Sequence, residues 1–225
     1  MEAMKEMTDN QFDLAIVDPP YGIGLNFSKG KRIKSKVLKK DYIYKGHKQK
    51  DWNKMPPTIE YFKELLRVSK KHIVWGCNYY GESQHLLGQG RIIHNKLVTP
   101  FLKSKYSHAD IAATNLQNRI TMFDFQWSGN VQAGTMNIKM INDYARGLEK
   151  RIHPTQKPVK LYEWLLMNYA KEGYTILDTH LGGGSIAIAC HNLGFELTGY
   201  EIDKEYFEVA KKRIEQHKQQ TTLNF

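Results

Sequence analysis

Residues 174–201 read YTILDTHLGGGSIAIACHNLGFELTGYE, and their pattern decides the fold. Tyr174 to Asp178 is a short apolar run rich in β-formers, as expected of a buried strand. Three glycines then turn the chain, Ser185 to Asn192 reads as a helix closed by Gly194, and Phe195 to Glu201 reads as a second strand. The same alternation extends outward. Gln11 to Val17 (QFDLAIV) is an apolar strand stopped by prolines. Thr58 is placed to cap a helix carrying Ile59, Phe62, Leu65 and Leu66 on one face, followed by a strand over His72 to Gly76. Short strands are expected over Arg91 to Lys96 and Ala109 to Thr114. Pro158 starts a helix with Val159, Tyr162, Leu165, Leu166 and Tyr169 on one side, and a last helix spans Asp203 to His217. Residues 117–147 show no clear period. Strands that alternate with helices and end in Gly- or Pro-rich turns imply an α/β fold with a doubly wound, mainly parallel sheet. Such sheets bind ligands beyond the carboxyl ends of their strands. The turns after Val17 and Asp178 should therefore face one crevice, although about 160 residues separate them.

A chain of 225 residues with 41% apolar content supports one substantial core, so residues 1–225 are expected to form a single domain. No apolar run approaches the ~20 residues of a membrane span, and the opening MEAMKEMTDN lacks a signal-peptide pattern. A cytoplasmic protein is expected, monomeric or homodimeric. Cys77 and Cys190 lack ligand spacing and are expected to be buried thiols. The nine histidines form no metal-binding pair, so no metal is expected.

The formal charge of +10 is concentrated in one place. Lys29, Lys31, Arg32, Lys34, Lys36, Lys39, Lys40, Lys45, Lys48 and Lys50 face the single acid Asp41, within a basic loop taken as 28–54. A polyanion is the natural partner, because neutralising phosphates releases counterions. A solvated basic loop without a ligand has the same composition.

Asp178 is followed by Gly182, Gly183 and Gly184, and 23 positions after it comes Glu201. Glycines allow close backbone approach to a ligand, and an acid at the second strand's tip can accept both ribose hydroxyls of a nucleoside. Gly182-x-Gly184-x-x-Ala187 also satisfies the loose dinucleotide fingerprint. A nicotinamide cofactor, S-adenosylmethionine and a purely structural turn all fit it.

Asp18-Pro19-Pro20-Tyr21 separates them. An exocyclic amino nitrogen of a base is a weak nucleophile whose lone pair is delocalised into the ring. A site that methylates it must orient the group more than deprotonate it. An ionised Asp18 can accept one N–H and the Pro19 carbonyl the other, with the prolines fixing the backbone. Tyr21 can stack on the base and offset part of the cost of extruding it from a duplex.

This context, an apolar strand ending in Asp-Pro-Pro-Tyr and followed by Gly22-Ile23-Gly24, resembles the β-group DNA amino-methyltransferases of phage and prophage type. The likeness runs from about Met4 to the C-terminus. It includes Asp51-Trp52-Asn53, Trp75-Gly76-Cys77-Asn78-Tyr79-Tyr80, Ser107-His108-Ala109-Asp110 and Arg151-Ile152-His153-Pro154-Thr155-Gln156-Lys157-Pro158. The resemblance implies a Rossmann-like methyltransferase fold in permuted order, the catalytic motif preceding the cofactor motif. It further implies S-adenosylmethionine held by Asp178, Leu181, Gly182, Gly184, Ser185 and Glu201, with Thr155, Gln156 and Lys157 bordering its methionine part. Double-stranded DNA is the implied partner, its sequence read by a short region at 97–150. The implied activity is transfer to the N6 amino group of a flipped adenine, because an Asp heads the catalytic motif, in a bacterial or phage-encoded protein of restriction-modification type. Two other functions fit: cytosine-N4 methylation, or DNA binding on a methyltransferase fold with impaired catalysis. The last follows from the expectation that the family's Gly-Asp strand, which precedes the equivalent of Met1 to Met4, lies outside this chain.

Overall fold

The computed structural model describes residues 1–24, 29–34, 41–46, 54–96, 107–128, 131–132, 149 and 151–222. In chain order these form α1 (Glu2–Lys5), β1 (Phe12–Val17), β2 (Lys29–Lys34), β3 (Asp41–Gly46), α2 (Ile59–Val68) and β4 (Ser69–Trp75). The 3-10 turns Cys77–Tyr79 and Gly81–Leu87 lead to β5 (Gly90–Asn95), β6 (Ala109–Thr114), β7 (Ile120–Asp124), β8 (Trp127–Ser128) and β9 (Val131–Gln132). After them come α3 (Val159–Tyr169), β10 (Thr175–Asp178), α4 (Ser185–Leu193), β11 (Glu196–Gly199) and α5 (Lys204–Thr222).

Seven strands make one sheet in the order β11-β10-β1-β4-β6-β5-β7. All run parallel except β6, which is antiparallel to both β4 and β5. This is the mainly parallel, doubly wound arrangement expected from the alternation of strands and helices. β1 lies inside the sheet between β10 and β4 and is buried on both faces, which is why FDLAIV reads as a nearly continuous apolar run. Its side chains alternate between two cores. Ala15 and Val17 pack with Phe62, Leu65 and Val74 on the α2 side, while Leu14 and Ile16 pack with Leu161, Leu165 and Ile186 on the α3–α4 side.

Several expectations need adjustment. β4 starts at Ser69, directly after α2, because its polar first residues sit where the strand enters the sheet. Thr58 occupies the N-cap of α2, but its hydroxyl makes no capping bond. The region without a clear period contains β7 and the β8–β9 hairpin. Within the basic segment, expected as a loop, β2 and β3 pair as an antiparallel hairpin. Cys77 and Cys190 are both buried thiols. Among the described residues no helix is long and apolar enough to cross a membrane.

Candidate active site

β10 pairs with β1 in parallel, Leu14 beside Ile176 and Ala15 beside Leu177. The two marked turns therefore leave the sheet from neighbouring strands in the same direction. Asp18 and Asp178 are close enough to feel each other's charge, as expected for one crevice.

The turn after β10 is built around two carboxylates. The Asp178 side chain accepts the His180 N–H at 2.9 Å. Burial drives its pKa up to about 8; the His180 N–H opposes this, and the charges of Asp18 and Glu201 add to the rise. The Glu201 carboxylate receives N–H groups from Gly182 and Asp203, at 2.8 and 2.9 Å. Its oxygens are thus fixed at the tip of β11, with acceptor capacity left over. Gly182 and Gly184 adopt φ of 53° and 71°, left-handed values that favour glycine. Ile202, next to Glu201, is 90% exposed and presents a bare apolar face beside that carboxylate.

The segment before α3 closes on this turn. His153 lies over Gly182 and makes a hydrogen bond with Thr155. Gln156 is buried against Gly183, where a Cβ would stand 2.7 Å from its Oε1. Glu149, not anticipated from sequence, gathers the neighbouring elements. Its carboxylate accepts from Gln156, Ser185, Arg213 and the Val159 N–H that opens α3. Leu181 packs over Gly199. Thr155, Gln156, Leu181, Gly182, Gly184, Ser185, Asp178 and Glu201 are thus brought together. Lys157 is not with them, since its side chain turns toward β1.

At the end of β1, Tyr21 donates its hydroxyl to Asp18 Oδ1 at 2.6 Å, and Lys157 Nζ lies 2.8 Å from Asp18 Oδ2. The Pro19 carbonyl accepts from Tyr80 at 3.0 Å, a hydroxyl also directed at the Trp75 carbonyl. The Tyr21 ring stacks on Tyr79 with centroids 4.9 Å apart and an interplanar angle of 13°. Gly76, at φ 76°, leaves room for it, because a Cβ there would overlap the Tyr21 ring. Both acceptors anticipated for an amino group are thus present, preorganised and met by donors of the chain itself. Tyr79, Tyr80, Gly76 and Asp110 are additions to the expected site. All lie in the segments at 75–80 and 107–110, and only the fold shows that they converge on β1.

A family model described as DNA methylase, for the N6/N4 methyltransferases, matches residues 102–212. Over this stretch, just under half of its length, the chain is similar to the N6/N4 DNA methylases. Among curated relatives, the Type II methyltransferase M.HpaI of Haemophilus parainfluenzae is 27% identical over 96% of this chain and 72% of its own length. The Type II methyltransferase M2.DpnII of Streptococcus pneumoniae is 25% identical over 94% of this chain and 85% of its own. The fold is that of M1.HpyAVI, solved as its SAM complex, with a TM-score of 0.54 and 19% identity over 94% of both chains. Asp18 to Tyr21 precede the matched region, whereas the glycine turn and Glu201 fall within it.

Proposed function

We propose that the chain transfers a methyl group from S-adenosylmethionine to the N6 amino group of an adenine flipped out of double-stranded DNA. One observation carries the reading: two fixed acceptors, the Asp18 carboxylate and the Pro19 carbonyl, stand at the end of β1, next to the strand that ends in Asp178 and the glycine turn.

The residues fit the cofactor. Glu201 offers fixed acceptors to a ribose diol, and Ile202 offers an apolar face to the adenine ring. Asp178, a buried carboxylate without a cation close enough to lower its pKa, suits an ammonium group. The sulfonium of S-adenosylmethionine supplies an electrophilic methyl group. The remaining work falls to the chain. Asp18 and the Pro19 carbonyl accept the two N–H bonds of the target and turn the nitrogen lone pair out of conjugation, toward the crevice. Asp18 and the Pro19 carbonyl would hold the N–H bonds until the methyl group has left the sulfonium for the nitrogen, and the surplus proton of the methylated nitrogen would then pass to solvent. Tyr21 leaves Tyr79 to stack on the base.

The hairpin places Lys29, Lys31, Arg32, Lys34 and Lys45 on β2 and β3. Lys36, Lys39, Lys40, Lys48 and Lys50 lie outside the described residues, as does most of 97–150. In this reading the cations grip phosphates and 97–150 reads the target sequence. Duplex DNA incubated with labelled cofactor and digested to nucleosides should yield 6-methyladenine by mass spectrometry, and Asp18→Ala should abolish it. Detection of 4-methylcytosine alone, or transfer that survives Asp18→Ala, overturns the proposal.

A further inference from the structure

Lys157 stands in a segment that packs on the cofactor turn, yet its ammonium is used elsewhere. The side chain is 5% exposed, and Nζ lies 2.8 Å from Asp18 Oδ2, 3.1 Å from the Tyr21 hydroxyl and 3.7 Å from Asp110 Oδ2. Of the ammonium's three donors, two are taken by Asp18 and Tyr21, while Asp110 stands at ion-pair distance. The rings of Trp75 and Tyr21 lie 5.2 and 5.7 Å from the charge. Asp110, on β6, is itself anchored by Lys96 at 2.8 Å, so charges alternate from Asp18 through Lys157 and Asp110 to Lys96.

Isolating an ammonium from water is costly unless carboxylates compensate it. Burial opposes the Lys157 charge, but Asp18 and Asp110 outweigh burial and raise its pKa. A cofactor carboxylate could claim this cation only by displacing Asp18 or Asp110, leaving a carboxylate unpaired in a dry site.

We propose that Lys157 is a positioning residue for the acceptor carboxylate, holding Asp18 Oδ2 so that Oδ1 stays aimed at the target amino group, and that it is not the cofactor's counter-ion. Shared with Asp110, the cation stays in place while the substrate comes and goes. Asp18 remains an acceptor throughout, since a protonated carboxyl would offer the amino group a donor instead. The other groups around Asp18 are Tyr21, Tyr80, Tyr162 on α3 and Asp178 on β10. None of them supplies a positive charge.

This inference rests on the methyl-transfer reading, and Lys157→Met tests it while keeping the chain's apolar bulk on Trp75. At saturating cofactor the single-turnover rate should fall by about 100-fold, the size expected when a reacting group loses its alignment. The dissociation constant for S-adenosylmethionine should stay at the wild-type value, and the acid limb of the rate–pH profile should move to higher pH. Lys157→Arg, which keeps the charge, should return that limb toward its wild-type position. Weakened cofactor binding with an unchanged saturated rate overturns the proposal and restores Lys157 to the cofactor. A cofactor-free measurement separates the two readings. In a double-mutant cycle of Lys157→Met and Asp18→Asn, each of which removes the ion pair, the unfolding equilibrium constants should depart from additivity by about tenfold. Additivity sinks the pairing whether or not the wild type transfers methyl groups. A wild type that shows the coupling but transfers no methyl sinks the function instead.

Discussion

If Asp178 meets the cofactor's ammonium, as proposed above, cofactor binding should depend on pH in a calculable way. Its carboxyl is buried at the carboxyl end of β10, where it titrates at about 8. Near pH 7 it is therefore mostly protonated in the free protein. If the ammonium of S-adenosylmethionine pairs with its ionised form, binding must expel that proton. Affinity should then rise tenfold per pH unit below 8, about 1.4 kcal/mol each. Between pH 5.5 and 7.0, where the ligand stays cationic, this amounts to about 30-fold, or ~2 kcal/mol. Calorimetric titration in buffers of different ionisation heat should report about 0.9 proton released per cofactor at pH 7, the protonated fraction of a group titrating at 8. Asp178→Asn should abolish both the slope and the release. Stability is linked in the opposite sense. The folded pKa lies above the unfolded value near 3.8, so the folded state holds a proton that the unfolded chain has lost. Cofactor-free stability from this group thus declines as pH rises from about 4 to 8, and saturating cofactor should flatten the decline. An affinity that is constant between pH 5.5 and 7.0, with no buffer-dependent heat, would refute the pairing.

Tyr21 contributes a hydroxyl and a ring, and substitution separates them. Tyr21→Phe loses the bond to Asp18 Oδ1 but keeps the stack, so DNA affinity should be largely retained; Tyr21→Ala should weaken binding of DNA carrying a pre-flipped or mismatched target by ~1–3 kcal/mol, read by fluorescence anisotropy. Equal losses in the two variants would contradict a stacking role. For the basic hairpin segment, if about five of its cations meet phosphates, log K against log salt should have a slope near −4.5 on duplex DNA. Replacing Lys29, Lys31 and Arg32 with Gln should make the slope shallower by up to ~0.9 for each phosphate no longer neutralised, and an unchanged slope would detach those residues from DNA.

The central sheet was legible because burial on both faces leaves a strong trace. FDLAIV and YTILD are nearly all apolar, and each ends at residues with a special backbone or chemical role. β7 left no such trace. Ile120 and Met122 are 67% and 55% exposed, while the half-buried positions are Thr121 and Phe123, so its pattern does not mark an inward apolar face. The basic hairpin was hidden by its lysines, which obscure the turn and strand signals that β2 and β3 would otherwise carry. In the site, Asp18, Gly182 and Glu201 could be read because each stands at the end of a strand, where chain direction alone fixes its location. Lys157 could not. Its partner Asp18 lies 139 positions away, and a long flexible side chain beginning near the cofactor turn can reach either site. Only the packing of α3 against the sheet decides which. Glu149 is a parallel case, an acid just beyond the aperiodic stretch whose importance depends on four donors, from Gln156, Val159, Ser185 and Arg213.

Under the proposed function, the donors already satisfied at Asp18 and Pro19 give a physical basis for selecting an amino group. Asp18 Oδ2 is committed to Lys157 and the Pro19 carbonyl shares the Tyr80 hydroxyl, whereas Asp18 Oδ1 is met by Tyr21, the residue that must move. When Tyr21 swings onto the base, its hydrogen bond is lost and the target N–H replaces it, an exchange of similar bonds with little net cost. A base presenting a carbonyl at the same place would set one acceptor against two others in a buried site, with nothing to replace the bond Tyr21 gave up. Sites built to bond a specific N–H or O–H reject analogues lacking it by ~10⁴–10⁵, because their own polar groups are then left unpaired. On the proposed function, discrimination against carbonyl-bearing bases should therefore arise at Asp18 and Pro19 themselves. The choice between adenine and cytosine, which both present an amino group, must rest on the shape of the surrounding pocket, and Tyr21 and Tyr79 form the wall nearest the acceptors.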